Sequence, residues 1–221
     1  MKKDLKIYLF RHGQTTFNRE KKFTGWLDPG LTSLGRRQAK IVARKLKNRK
    51  FEVAFHTRLR RSKETLKEVL RYHPECKKIF EDDRMIERNY GDLNGSSHKD
   101  FIERVGKQLV HLEVEGDVLE DLSKGERKRI ERFLGEEEFK LIHRGYTVPP
   151  PGGESFKMVE KRVQKFIKHL IKMMKKDKVN VAISAHGNSI RLFRKIMERA
   201  SVEEMTKWSI PYTKVYEYTI K

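Results

Sequence analysis

Two histidines in this chain are each followed by glycine directly after a short apolar run. Ile7-Tyr8-Leu9-Phe10 passes into Arg11-His12-Gly13, and Val181-Ala182-Ile183-Ser184-Ala185 passes into His186-Gly187-Asn188. Apolar runs of this length read as buried strands, and open α/β sheets bind ligands just beyond the carboxyl ends of their strands. Each run therefore delivers an imidazole to a place where a site is expected. One such pair is ordinary for a core or surface histidine. Two pairs, the first with an arginine beside it, point to a phosphate site with histidine chemistry.

The elements around these pairs alternate. The sequence predicts a strand over 5–10, a loop over 11–31, a helix over about 32–48 and a strand over 51–55. A helix over about 58–72, a strand over 78–81 and an irregular stretch to about 95 follow. Residues 96–145 read as a polar, mostly helical segment. After the turn Pro149-Pro150-Pro151-Gly152-Gly153 come a helix over 154–176, a strand over 179–185, helices over 188–199 and 202–208, and a strand over 213–219. Strands alternating with helices imply a three-layer α/β fold, with a mainly parallel central sheet and helices on both faces. In helix 154–176 the residues Phe156, Val159, Val163, Phe166, Ile167, Leu170 and Ile171 recur at helical spacing, which marks a core stripe. Run 181–185 is apolar on nearly every residue, as a central strand covered on both faces requires. Segment 113–140 is rich in mixed charge, with Ile130, Phe133, Leu134 and Phe139 as its expected anchors. It reads as a helical lid inserted (96–145) over the ligand edge of one domain, 1–221.

Composition narrows the partners. The chain has 221 residues, 37% hydrophobic and 37% charged, with no apolar stretch near the ~18 residues of a membrane span. The Met1-Lys2-Lys3 start carries no signal-peptide pattern. The single cysteine, Cys76, excludes an internal disulfide and suits a reducing cytoplasm, so a cytoplasmic location with no membrane partner is expected. Net charge is +20, but the basic residues are mixed with acids on every helix. They read as a solvated surface and not as a nucleic-acid footprint. A positive field still raises the encounter rate of a small polyanion.

Longer blocks carry a family resemblance. Arg11-His12-Gly13-Gln14-Thr15 with Asn18, Phe23-Thr24-Gly25-Trp26 with Asp28, and Leu31-Thr32 form the opening. Glu87-Arg88-Asn89-Tyr90-Gly91-Asp92-Leu93-Asn94-Gly95, Arg144-Gly145-Tyr146 running into the prolines, and Ala185-His186-Gly187-Asn188-Ser189-Ile190-Arg191 complete it. In this order the chain resembles the cofactor-dependent phosphoglycerate mutases of the histidine phosphatase superfamily from residue 5 to 220, apart from 96–141. The resemblance implies interconversion of 3- and 2-phosphoglycerate through a phosphohistidine at His12, primed by 2,3-bisphosphoglycerate and without metal. Covalent acceptance splits the transfer into two easier steps, and charge stabilisation dominates such reactions.

The resemblance also implies roles. Arg11, Arg61 and His186 would stabilise the phosphoryl group, with Arg58 and Arg60 as close competitors of Arg61. Glu87 would protonate the leaving oxygen and deprotonate the attacking hydroxyl. Asn18, Thr24 and the backbone at Gly25 and Asn188 would add neutral hydrogen bonds, with Gly187 among the substrate-binding residues. Tyr90, Arg144, His143, His98 and the adjacent Lys99 would hold the rest of the substrate. His143 and His98 stand where the family carries an arginine and a lysine, which opens the question of mutase against hydrolase. A phosphomonoesterase of the same superfamily is the alternative. A basic nucleic-acid-binding protein on a retired enzyme fold is a third, opposed by the complete set Arg11, His12, Arg61, Glu87 and His186. A metal site of His12, His186 and Glu87 is possible by residue type, but no metal-ligand motif supports it. A small phosphorylated substrate and a possible homo-oligomer complete the expectations.

Overall fold

The computed structural model describes residues 4–113 and 122–221. The Met1-Lys2-Lys3 start and the 114–121 part of the charged segment lie outside the described residues. The strands are β1 (Leu5–Arg11), β2 (Val53–His56), β3 (Lys78–Glu81), β4 (Val181–Ala185) and β5 (Val215–Ile220). They form one sheet in the order β3-β2-β4-β1-β5, parallel except for β5, which runs antiparallel to β1. The helices are α1 (Thr16–Arg19), α2 (Ser33–Leu46), α3 (Arg60–Leu70), α4 (His98–Glu113), α5 (Lys124–Arg144), α6 (Phe156–Asp177), α7 (Gly187–Glu198) and α8 (Val202–Lys207). The expected elements are present, with one addition. The predicted loop 11–31 contains α1, closed by a capping box between Thr15 and Asn18.

Period-two alternation along the strands builds the layers. Tyr8, Phe10, Ala54 and Ala182 point to one face, where Val42, Ala43 and Leu46 of α2 and Leu66 and Val69 of α3 cover them. Leu5, Ile7, Leu9, Val53, Phe55, Val181 and Ile183 point to the other, against α6, α7 and α8. The α6 stripe holds as expected except at its end. Met174 is buried and Ile171 only half-buried, because the stripe drifts round the helix over six turns.

Register does the positioning. Arg11 of β1 pairs with Ala185 of β4, and the His12 amide extends the ladder by donating to the Ala185 carbonyl at 3.1 Å. Both strands therefore end at one level, and His12 and His186 are the next residues of each. From there the chain leaves in opposite directions, β1 through α2 to β2 and β4 through α7 to β5. That divergence opens the crevice in which such sheets bind ligands.

The segment expected as a lid is a hairpin of α4 and α5. Its anchors differ from those predicted. Phe133 is 61% exposed, and Ile130, Leu134 and Phe139 are only half-buried. The helices instead meet backbone to backbone at two glycines. A Cβ on Gly106 would stand 1.8 Å from the Glu131 carbonyl oxygen, and one on Gly135 2.1 Å from that of Ile102. Phe101 and Ile142 then join Phe23, Tyr90 and Leu93 in a small core at the sheet's carboxyl edge. Gly135→Ala should therefore push α4 away from α5. Overpacking of this kind costs about 1–3 kcal/mol, which offsets the ~1 kcal/mol that alanine gains over glycine within a helix. Hydrogen exchange checks this: the variant should lose amide protection in α4 and α5, and unchanged or greater protection contradicts the contact.

Candidate active site

A cleft of about 220 Å³ lies beyond the carboxyl ends of β1 and β4. Arg11, His12, Asn18, Thr24, Gly25, Arg61, Glu87, Tyr90, His98, His143, Arg144, Gly187 and Asn188 of the expected set line it. His186 lies beside it, fully buried, its ring 5.0 Å from that of His12 between centroids. Lys99 is the exception. It is the second residue of α4, and one helical step turns it away from the cleft to pair with Glu103 on the exposed face, at 3.7 Å.

His12 is oriented by its own neighbour, since Nδ1 lies 2.7 Å from the Gly13 carbonyl oxygen. A carbonyl only accepts, so Nδ1 carries the proton and Nε2 keeps its lone pair. Burial first, then the Arg61 and Arg11 guanidinium groups, hold His12 well below the usual imidazole range. It is a neutral imidazole with a free lone pair. His186 is kept neutral in the same way, by burial and then by Arg61.

The arginines are held at their tips by carbonyl oxygens. Arg61 is fully buried and donates through Nη1 to Leu27 O (2.7 Å) and through Nη2 to Gly25 O (2.9 Å). Arg11 donates through Nη1 to Ile210 O at 3.0 Å, under the Tyr212 ring. The Nε–H groups of Arg11, Arg61 and Arg191 are buried without a partner among the described residues. Burial pushes Arg61 down to about 10, and burial with nearby Arg144 pushes Arg191 down to about 9. The two competitors of Arg61 are engaged elsewhere, Arg58 with Asp83 and Arg60 with Asp28.

Glu87 is buried and doubly anchored. Its Oε1 accepts from the amides of Arg88 (2.8 Å) and Asn188 (3.1 Å), the latter in the first turn of α7. Its own carbonyl accepts from Trp26 Nε1 and Arg162 Nη2. This corrects one expectation: the Asn188 amide serves the Glu87 carboxylate and is not left for a substrate. The Asn188 side chain bridges Tyr90 and Arg191, through Nδ2 to Tyr90 OH (3.2 Å) and from Arg191 Nη1 to Oδ1 (2.6 Å). Asn18 uses Oδ1 to cap α1 through the Thr15 amide. Gly25 contributes its carbonyl, already taken by Arg61.

At the hairpin end the cleft wall is aromatic. The His143 ring stacks on Phe139 (centroids 5.0 Å apart) and lies parallel to Tyr90 (6.1 Å), while His98 sits edge-on to Phe23 at 4.6 Å. Burial, then Arg144, presses His143 down to about 3, and burial with Lys21 lowers His98. Both are neutral imidazoles where cations were the family's rule.

Sequence reasoning missed Lys21, Lys22 and Arg191, which also line the cleft. Arg191 lay inside the His186 block, four residues past Gly187, and its helical spacing was the available signal. Lys21 and Lys22 carried none. They arrive because the Lys21 carbonyl accepts from the His98 amide and Lys22 bridges to Ser97, stitching the two loops together. With these, six cationic side chains face one carboxylate, Glu87. Among the described residues no group of three or more His, Cys, Asp or Glu side chains is arranged to hold a metal ion, and no helix is long and apolar enough to cross a membrane. The Cys76 thiol is buried outside the site, and burial raises it to about 11.

This arrangement defines a class, and comparison with known proteins gives it a name. The histidine phosphatase superfamily (branch 1) pattern matches residues 7–126 and 112–221, so the chain belongs to that superfamily. A 2,3-bisphosphoglycerate-dependent phosphoglycerate mutase of Parvibaculum lavamentivorans is 32% identical over 209 residues, covering 92% of this chain and 85% of its own. One from Pseudoalteromonas atlantica is 29% identical over 206 residues, covering 92% and 88%. In fold the chain resembles a phosphoglycerate mutase of Bacillus anthracis (TM-score 0.70, 22% identity, 100% of this chain and 89% of that one). It resembles equally a putative alpha-ribazole-5'-P phosphatase of Escherichia coli (TM-score 0.70, 18% identity, 96% and 89%).

The depressed imidazoles set a pH dependence of stability. Below the ordinary value of 6.5 the unfolded chain's imidazoles take up protons that His12, His186 and His143 refuse in the folded state. Stability is thus fully present above about pH 7 and falls on acidification, for His143 down to about pH 3. Moving from pH 7.5 to 5.5 should cost about 1.4 kcal/mol per imidazole. Urea titrations at the two pH values test this. His143→Phe should reduce the loss by about that amount, and an undiminished loss would contradict the assignment.

Proposed function

We propose that this chain is a phosphoglycerate mutase that interconverts 3-phosphoglycerate and 2-phosphoglycerate through a phosphohistidine at His12. The observation that carries the reading is the excess of six cations over one carboxylate around a neutral imidazole with a free Nε2. A single phosphate dianion needs fewer, even with Lys22 paired to Glu20; a substrate with a second phosphate or a carboxylate uses more of them. The naming of the relatives supports the same reading. The unpartnered Nε–H groups of Arg11, Arg61 and Arg191 fit a bisphosphorylated primer. When bound, 2,3-bisphosphoglycerate supplies the phosphoryl group that charges His12.

The His12 Nε2 lone pair forms the N–P bond as the P–O bond to the departing alcohol breaks, and the Glu87 carboxylic acid gives that oxygen its proton. In the return step the accepting hydroxyl gives its proton to the Glu87 carboxylate as its oxygen bonds phosphorus, and the N–P electron pair returns to Nε2. Arg11 and Arg61, with tips fixed on carbonyls, donate to the equatorial oxygens without reorganising. Asn18 and Thr24 add neutral donors. Tyr90, Arg144, Arg191 and Lys21 take the far end of the substrate. The paired helices α4 and α5 act as the lid that limits water.

One observation favours a second reading, a phosphomonoesterase that passes the phosphate to water. His98 and His143 are neutral within an aromatic wall, so the grip on a second anion is weaker at that end. The fold itself is shared by mutases and phosphatases.

Incubation with 3-phosphoglycerate and a trace of the bisphosphate separates them. The mutase forms 2-phosphoglycerate without free phosphate, whereas release of phosphate alone establishes the hydrolase. His12→Ala should abolish acid-labile labelling from phosphorylated primer, and retained labelling would place the nucleophile elsewhere. Glu87→Gln should label but turn over about 10²–10⁴-fold more slowly; undiminished turnover removes Glu87 from the proton path.

A further inference from the structure

Thr57 follows β2 directly and is fully buried against the site, yet no sequence signal marks it. Its Oγ1 lies 2.8 Å from His186 Nε2, and among the described residues it makes no other hydrogen bond. The other ring nitrogen, Nδ1, is buried without a hydrogen-bond partner among the described residues. Two proton arrangements are possible across this contact. If Nε2 carries the proton and donates to Oγ1, the Thr57 hydroxyl hydrogen and the Nδ1 lone pair are both left buried and unpaired. If the hydroxyl donates to an unprotonated Nε2, the Oγ1 lone pairs and the Nδ1–H are left instead. The count of unpaired groups is equal, but only the second arrangement leaves a donor, the Nδ1–H, with which to meet a phosphoryl oxygen at His12. The groups that act electrostatically on His186 are Arg61, Arg11 and Arg162, all pure donors, and His12, whose neutral ring lies 5.0 Å away between centroids. Among the described residues nothing accepts from Nδ1, so its proton stays available to an incoming oxygen.

We propose that Thr57 is a positioning residue: its hydroxyl fixes His186 as the Nδ1–H tautomer and reserves that N–H for an oxygen of the phosphoryl group on its way to or from His12. The proposal rests on the phosphoryl-transfer reading of the site but is common to mutase and phosphatase. The backbone around Thr57 is built to hold it still. The Thr57 amide donates to Ser62 Oγ (3.2 Å), Ser62 Oγ donates to Ser184 O (2.7 Å), and Ser184 Oγ donates back to Ser62 O (3.0 Å). Three buried hydroxyl residues from β2's end, α3 and β4 are thereby locked in register. The hydroxyl's reach to Nε2 depends on that lock and not on the substrate.

The test reads the tautomer itself. In ¹⁵N-histidine spectra of the free protein at pH 7.5, the His186 signal, assigned by its loss in His186→Gln, should show a protonated Nδ1 and an unprotonated Nε2. Adding inorganic phosphate should move the Nδ1–H proton resonance downfield. Thr57→Val keeps the shape of the side chain but removes the hydroxyl. It should shift His186 toward the Nε2–H form and lower kcat for phosphoryl transfer by about 10–100-fold with little change in KM. Thr57→Ser should restore both the spectrum and the rate. An Nε2–H signal in the unaltered protein overturns the proposal, as does a Thr57→Val protein that keeps both tautomer and kcat. Because the spectrum is read without turnover, it judges Thr57 even if the reaction proves different.

Discussion

The site depends on the pairing of β1 with β4. Their register sets Arg11 opposite Ala185, so two imidazoles more than 170 residues apart in sequence emerge at the same level of one sheet. A slip of one residue would send Leu5, Ile7 and Leu9 to the α2–α3 face and Tyr8 and Phe10 to the α6 face. Period-two alternation makes such a slip costly, since every core side chain of the strand would exchange faces. The hydrophobic pattern that folds the sheet is thus the same constraint that aligns His12 with His186.

Onto that frame the protein sets charge that it does not neutralise. Arg61 and Arg191 are buried with carbonyl and amide oxygens hydrogen-bonded at their tips, and a carboxylate, Asp28, stands off Arg61 Nη1 at 3.8 Å. Burial outweighs the nearby carboxylates, and both arginines are pushed below their ordinary values as a result. The counterpart is a cleft preorganised for anions, whose donors need not swing into place when charge develops. Neutral His12 belongs to the same design: burial first, and then the cations Arg61 and Arg11, keep it unprotonated. The chain's net charge of +20 extends this field outward to small polyanions.

Much of this was legible in the residues. The apolar runs ending in His-Gly marked both central strands and the level of the site, and the longer blocks marked Glu87, Tyr90 and Arg144. What escaped was geometry that no local pattern encodes. His98 and Lys99 are neighbours in sequence, but at the start of α4 one faces the cleft and the other solvent. Lys21 and Lys22 reach the cleft through backbone hydrogen bonds to a loop more than seventy residues away. The hairpin defied a search for apolar anchors because its helices touch through Gly106 and Gly135, where the absence of a side chain makes the contact. Thr57 escaped for the same reason as Ser62 and Ser184: a buried hydroxyl carries no periodicity.

A crystal structure with orthovanadate, a mimic of the phosphoryl group in flight, tests the central claim most directly. Vanadium bonded to His12 Nε2, with Arg11, Arg61 and His186 all in hydrogen-bonding contact with its oxygens, is the result this account requires. Vanadate held by another residue, or held at His12 with His186 turned away from it, would contradict the claim that strand register assembles one phosphoryl-transfer site from two distant histidines.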